Sequence, residues 1–394
     1  MAILLYPTRG CNLGCLYCFQ RPGLPRPGAM RDWEEMDWEG IRKALRLLKQ
    51  YRNSCGTEVV LHGGEPTSVP LDVLERLMKL IRSEGFNVGM QSNGYAITED
   101  HIRLFKRYGC HVGISVDGFP DINTLRGFFD EQGREIKPAS EEYRKRVMEN
   151  LEILISEKLC GGVITILHRA NAGDARRLER LKEFLKWLEE RGAQSVRLNP
   201  MSADAGPAKA YELTNEELAR AYIELYEYCK GLRLKVSPFI DMRRTLLGER
   251  ETVCWFSGCH LYDSLVWAID NRGNILSCDR ILGWGTLLRP SQLPHTDMFR
   301  MQVRTLALLQ TELRDDPYAH LHRGGCPAEG IGGDWRRPSR FVPAFDKLFA
   351  KIEEDLRKAL PDAIFPTEYP DKVRYVKMID AGYRWDIWRG DFTR

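Results

Sequence analysis

The chain has 394 residues, 43% hydrophobic and 29% charged, the balance of an ordinary globular protein with room for a large core and a smaller appended unit. Its 58 basic and 55 acidic side chains leave a net charge of +3, which gives no grounds for nucleic acid or an anionic membrane surface as a partner. No apolar run approaches the roughly 20 residues that span a bilayer, and the apolar start is too short for a signal peptide, so a cytoplasmic protein is expected.

In chain order, Ile3–Tyr6 reads as a strand and 37–51 as a helix with Ile41, Leu45 and Leu48 on one face. Strand 58–62 ends at Gly63-Gly64-Glu65-Pro66 and precedes a helix at 71–83. Strand 87–91 ends at Ser92-Asn93-Gly94, and Thr98 looks like the cap of a helix running to Tyr108. Strand 111–116 ends at Asp117-Gly118; helix 141–159, strand 162–167, helix 174–191 and strand 195–199 follow. Strands alternating with helices predict a parallel α/β sheet of right-handed crossovers, and six such units predict a partial (β/α)6 TIM-type barrel. Polar and glycine-rich clusters fall at the carboxyl ends of the strands, where such sheets place ligands. After a helix at 215–231 the alternation stops. A hairpin is expected over 264–278, turning at Asn271-Arg272-Gly273, and a helix over 345–360 opens the tail.

Eleven cysteines in a reducing compartment are not read as a disulfide framework. Cys11, Cys15 and Cys18 cluster just after the first strand, and Cys254, Cys259, Cys278 and Cys326 form a second group; Cys55, Cys110, Cys160 and Cys229 read as small buried apolar residues. Three thiolates beside Gly10 and Gly14 can wrap one face of an iron–sulfur cluster and leave an iron without a protein ligand. Structural zinc needs four closed ligands, and no nearby His or Cys completes that set.

Cys11-x3-Cys15-x2-Cys18, with Tyr17 before the last cysteine, resembles the CxxxCxΦC signature of the radical S-adenosylmethionine (SAM) superfamily. Gly63, Gly64, Glu65 and Pro66 resemble that family's GGEP motif, which holds the SAM amino group. Ser92 and Asn93 stand where the family contacts ribose and carboxylate. Ser115, Asp117, Asp121 and Arg126 resemble the SxDG…D..R stretch of peptide-modifying members, and Asn199 ends the sixth strand, close to adenine in relatives. The resemblance covers about 1–205. It implies a SAM-binding 4Fe-4S cluster, reductive cleavage of SAM to a 5′-deoxyadenosyl radical, and hydrogen abstraction from substrate, with a reductant such as flavodoxin or ferredoxin.

Cys259, Gly273 and Cys278 resemble the CX9–15GX4C opening of SPASM and twitch auxiliary-cluster domains, and Gly324-Gly325-Cys326 resembles their closing element, with Cys254 as a fourth ligand. The intervening CX2CX5CX3C run is missing, so one auxiliary iron–sulfur cluster, of 4Fe-4S type, is expected. Four cysteines are also a common zinc set, and the sequence does not separate the two. The resemblance implies a barrel core over 1–232, an auxiliary domain over 233–340 and a helical tail over 341–394. Relatives of this kind mostly modify a precursor peptide or protein, and a smaller set acts on aminoglycosides or other carbohydrates. With a strand at its very start the chain is expected to carry no amino-terminal leader-binding module, which leaves recognition to the barrel mouth, the tail or a separate leader-binding protein. Asp241, Asp263 and Asp279 are candidate acids or bases by location.

Overall fold

A computed structural model describes residues 2–18, 31–50, 57–203, 206–248, 267–276, 278, 295–360, 384–386 and 391–393. The chain forms two compact units: Met1–Val236 with Ala268–Ile275, and Ser237–Trp267 with Leu276–Arg394.

The first unit begins with β1 (Ala2–Thr8) and α1 (Trp38–Lys49). Asp37 starts that helix because its carboxylate accepts from the Glu39 and Gly40 amides at 3.1 and 2.9 Å. Ile41, Ala44, Leu45 and Leu48 then recur at helical spacing and are buried. The alternation continues through β2 (Glu58–Gly63), α2 (Leu71–Ser83), β3 (Asn87–Ser92), α3 (Glu99–Tyr108), β4 (His111–Ser115), α4 (Lys137–Ser156), β5 (Cys160–Leu167), α5 (Ala175–Arg191), β6 (Ser195–Pro200), α6 (Asn215–Cys229) and β7 (Lys235–Ser237). Asp174 caps α5 through the Arg177 amide at 2.9 Å.

Two local expectations are corrected. Thr98 occupies the cap position of α3, but its hydroxyl pairs with His101 Nδ1 at 2.9 Å and makes no capping bond. Helix α4 starts a turn before Glu141 because Pro138, in the first turn, needs no amide partner there. It stops short of Leu159 because Lys158 takes a left-handed conformation (φ 58°).

Strands β1 to β6 pair in parallel with their sequence neighbours. The sheet order is β7-β6-β5-β4-β3-β2-β1-β8-β9, with β8 at Trp267–Ile269 and β9 at Ile275–Leu276. Each crossover therefore steps in the same direction. Right-handed connections that never reverse put their helices on one side of the sheet and curl it into a barrel wall. The expected partial (β/α)6 barrel is what forms, and the carboxyl ends of its strands share one rim.

The expected hairpin also forms over its described residues. Gly273 donates to Asp270 O at 3.0 Å and has φ 77°. Asn271 does more than turn the chain: its carbonyl accepts from the Asp37 amide at 2.8 Å, and its side-chain amide donates to Asp32 O at 2.7 Å. A Cβ on Gly273 would lie 2.2 Å from the Gly40 carbonyl carbon, so glycine is required for close approach as well as for φ.

The second unit contains α7 (Phe239–Leu246), α8 (His295–Gln310), α9 (Ala319–His322), α10 (Val342–Ala359) and an antiparallel pair, β10 (Arg384–Asp386) with β11 (Asp391–Thr393). Helix α10 starts three residues before the expected Phe345 and packs on α7. Phe345, Leu348, Phe349 and Ile352 are fully buried along its inner face. Among the described residues no helix is long and apolar enough to cross a membrane.

Gly273→Ala should lower the thermal midpoint by the equivalent of about 1–3 kcal/mol, whereas Gly231→Ala should stay within about 0.5 kcal/mol. The nearest atom to a Cβ at Gly231 is 3.7 Å away. Paired melting curves distinguish the two.

Candidate active site

The segment after β1 carries Cys11, Cys15 and Cys18, and backbone hydrogen bonds shape it from two sides. Gly14 N donates to Gly127 O and Leu16 N to Leu125 O, both at 2.9 Å. On the other side Glu65 N donates to Gly10 O at 2.8 Å and Gly64 N to Thr8 O at 3.0 Å. A Cβ on Gly64 would fall 2.0 Å from Gly10 O, so the second glycine of the Gly-Gly-Glu turn is what lets that turn lie against the cysteine loop. Thr8 Oγ1 accepts from Gly10 N at 2.8 Å and donates to Asp32, which also accepts from Arg9 N at 2.9 Å.

Within the loop Cys18 N donates to Cys15 O at 3.2 Å and Leu13 N reaches Cys11 Sγ at 3.4 Å. The thiols lie close enough to act on one another. Burial, then the Glu65 charge, then Cys15 push the Cys11 thiol well up, and Cys18 adds to this. Burial outweighs the Arg126 guanidinium at Cys15 and raises that thiol to about 11. Neighbouring thiols such as Cys11 and Cys15, which resist ionising together, suit an iron cluster, whose positive iron replaces their protons.

Glu65 follows β2 and is 1% exposed. Its Oε1 accepts from Thr67 N (3.0 Å), Thr67 Oγ1 (2.7 Å) and Ser92 Oγ (2.8 Å), and its Oε2 from Asn93 N (2.6 Å). Burial raises its pKa, and the Asn93 and Thr67 hydrogen bonds oppose that. Asn93 Nδ2 donates to Asn12 Oδ1 at 2.7 Å and faces Cys11 Sγ at 3.8 Å. The second and third strands thus deliver Glu65, Ser92 and Asn93 to the side of Cys11. Ser115, at the end of β4, accepts from Gln91 Nε2 at 2.8 Å.

Asp117 is fully buried just beyond β4. Its Oδ1 meets Arg126 Nε and the Ile166 amide, both at 2.9 Å. Its Oδ2 accepts from the Tyr17 hydroxyl and lies 3.3 Å from His168 Nε2. Burial alone would raise this carboxyl; Arg126, followed by His168 and Ile166, outweighs it and holds the pKa at about 2. Arg126 sits between the two residues that pair with the cysteine loop, is 8% exposed, and lies 5.4 Å from the Tyr17 ring centroid. Asp121 stands apart from the group and pairs with Arg180 at 3.0 Å on the surface.

His168 and Asn171 had no signal in the sequence beyond following a strand. Asn171 Nδ2 donates to Asp117 O at 3.0 Å and Ile166 O at 2.8 Å, and its Oδ1 accepts from His168 N at 2.9 Å. Buried polar atoms at this rim without a hydrogen-bond partner among the described residues include two acceptors, His168 Nδ1 and Asn199 Oδ1. Orphaned acceptors beside a thiol cluster fit a polar cofactor such as SAM, bearing hydroxyl and amine donors.

Of the second cysteine group, Cys278 and Cys326 are buried, while Cys254 and Cys259 lie outside the described residues. Cys326 follows three successive left-handed residues, Arg323, Gly324 and Gly325 (φ 54°, 80° and 65°). Arg304 of α8 holds that loop by donating to the carbonyls of Arg323, Gly324, Gly325, Trp335 and Arg337 at 2.7–3.3 Å. In the same unit Asp316, His322 and Asp346 place possible ligand atoms within 4.8 Å of one another. There Gly324 N donates to His322 Nδ1 at 3.0 Å, so Nε2 carries the ring hydrogen and faces Asp316 at 2.9 Å and Asp346 at 3.3 Å. Asp241 is buried in the first turn of α7; Asp263 and Asp279 lie outside the described residues. Of the scattered cysteines Cys110 is fully buried, burial raises Cys160, and burial raises Cys229 to about 12; Cys55 is outside the described residues.

Asp117→Asn should cost about 3 kcal/mol in urea unfolding at pH 7, because it leaves Arg126 buried without its counter-charge. The carboxyl is depressed in the fold, from 3.8 to about 2. The gap between wild type and variant should therefore stay level above about pH 4 and close as pH falls through about 2. A gap that closes near neutral pH would contradict this.

Residues 5–181 match the family model described as the Radical SAM superfamily. The chain is 24% identical over 299 residues to a cysteine-type anaerobic sulfatase-maturating enzyme of Clostridium novyi, covering 71% of this chain and 73% of that protein. It is 23% identical over 302 residues to the enzyme of the same name from Clostridium perfringens, covering 71% and 74%. Its fold is similar to that of native anSMEcpe with bound AdoMet and Cp18Cys peptide, with a TM-score of 0.66 at 18% identity over 91% of this chain and 98% of that one. It is also similar to Streptococcus suis SuiB bound to S-adenosylmethionine, with a TM-score of 0.60 at 15% identity over 86% and 76%. The matched span takes in the cysteine loop, the Gly-Gly-Glu turn, and the Asp117, Arg126 and His168 group, and over that span the chain is similar to the radical SAM superfamily.

Proposed function

We propose that this radical SAM enzyme modifies a ribosomally made peptide or protein, with a 4Fe-4S cluster on Cys11, Cys15 and Cys18 and one auxiliary iron–sulfur cluster on Cys254, Cys259, Cys278 and Cys326. The carrying observation is the cysteine loop itself, bound by backbone hydrogen bonds to the Arg126 segment on one side and the Glu65 turn on the other. Similarity along nearly the full length of an enzyme whose structure holds a peptide supports the substrate class.

When bound, the cluster and SAM supply a 5′-deoxyadenosyl radical that can take a hydrogen atom from an unactivated carbon. The residues of this chain bind and orient. The loop fixes the three thiols, Asn93 and Glu65 present polar atoms next to Cys11, and Arg126 offers a buried positive charge beside Cys15. Ser115 and Asn199 border the same rim. Asp241, Asp263 and Asp279 are proposed as candidates for the proton that a crosslink, epimerisation or oxidation must move. A flavodoxin or ferredoxin would supply the electron, and a separate leader-binding protein is a candidate partner.

Replacing Cys11, Cys15 and Cys18 together by alanine should abolish reductive SAM cleavage while leaving about one cluster, about four irons, per chain. Surviving 5′-deoxyadenosine release would defeat the first assignment, and zinc in place of iron the second. Peptides from genes next to this one should show mass changes with reduced enzyme and SAM. Turnover of an aminoglycoside with none of any peptide would replace the substrate proposal.

A further inference from the structure

His168 is fully buried directly after β5, with its ring centroid 5.9 Å from that of Tyr17 in the cysteine loop. Nε2 lies 3.3 Å from Asp117 Oδ2, while Nδ1 has no partner among the described residues. The two nitrogens are therefore unequal. A carboxylate accepts hydrogen bonds only, so the ring hydrogen belongs on Nε2. With that hydrogen on Nε2, Nδ1 is left as an acceptor shut away from water.

Asp117 itself is taken up by protein groups: Tyr17, Ile166 and His168 hydrogen-bond to its carboxylate, and Arg126 Nε lies 2.9 Å away as an ion pair. The resemblance assigns Asp117 a place among the cofactor contacts, yet its acceptor capacity is directed at protein donors. Of the residues that Asp117 orients, His168 keeps an acceptor in need of a donor.

We propose that Asp117 is a positioning residue and that His168 Nδ1, held in its tautomer by Asp117, accepts a hydrogen bond from a donor on the adenosine half of bound SAM, a ribose hydroxyl or the adenine amine. This deepens the cofactor reading above and rests on it. The resemblance puts the adenine close to Asn199 at the end of β6, the strand paired with β5, which His168 follows. Asn199 Oδ1 is a second orphaned acceptor on that side.

The two amide replacements of histidine divide its two functions. His168→Gln keeps an N–H near the Nε2 position and loses the acceptor at Nδ1. His168→Asn keeps an acceptor oxygen near Nδ1 and loses the reach to Asp117. SAM dissociation constants would be measured on anaerobically reconstituted full-length protein with iron content matched between samples. His168→Gln should bind about tenfold more weakly, the cost of one buried unsatisfied acceptor, and His168→Asn should stay within about threefold of wild type. Unchanged binding by His168→Gln, or loss by His168→Asn as large as or larger than that of His168→Gln, would overturn the contact. If His168→Gln does not load its cluster, His168→Asn decides alone, and loss beyond about threefold overturns the proposal. No peptide is needed, so failure of the substrate proposal would leave this result standing. Wild type that holds its cluster and ignores SAM would remove the cofactor reading as well.

Discussion

A buried carboxylate engaged by three hydrogen bonds and one ion pair holds this site together. Asp117 lies below the strand ends, and its partners come from four separate places: the cysteine loop, the Arg126 segment, the end of β5 and the residue just beyond it. Such an ion is costly to bury, and it is tolerated because Tyr17, Ile166 and His168 hydrogen-bond to it and Arg126 supplies the opposite charge. The same set of partners is what gives the site a definite geometry. Tyr17 cannot swing away without exposing a charged oxygen to a dry interior, so the loop that presents the thiols is fixed through its own tyrosine.

A second constraint acts through the backbone. Cys11, Cys15 and Cys18 belong to a short segment tied by amide bonds to 125–127 on one side, while the residues that lead into it, Thr8 and Gly10, accept from the amides of 64–65 on the other. Glycine permits this at Gly64, where no side chain would fit. Beyond the loop, Asp32 and Asn271 extend the same chain of hydrogen bonds from Thr8 to the hairpin turn at Asn271-Arg272-Gly273. The Cys326 loop is built on a related principle. Three left-handed residues in succession are unfavourable, and the Arg304 guanidinium ties their carbonyls together. Both cysteine loops are thus shaped by hydrogen bonds of their backbones.

Much of this was legible in the chain. Alternating strand and helix patterns, with their caps and turns, depend on contacts within a few residues, and β1 to β6 with their helices follow from them. The Cys11–Cys18 spacing, the Gly-Gly-Glu turn and the polar strand ends announce a cofactor rim for the same reason: their chemistry is written in adjacent residues. The helix starts were less so. Thr98 has the side chain of a cap and spends its hydroxyl on His101, a choice made by the neighbouring ring and invisible in the cap residue itself.

What the tertiary structure alone decided is the distribution of polar partners between distant segments. That Asp117 turns inward to His168, that Asp121 from the same stretch goes to Arg180 at the surface, and that His168 comes to lie beside Tyr17 all depend on pairs far apart in sequence. Hydrophobic periodicity sets which face of a strand or helix is buried, and so determines the barrel and its rim. It does not say which buried acceptor faces which donor, because that follows from the relative placement of several strand ends once the barrel has closed.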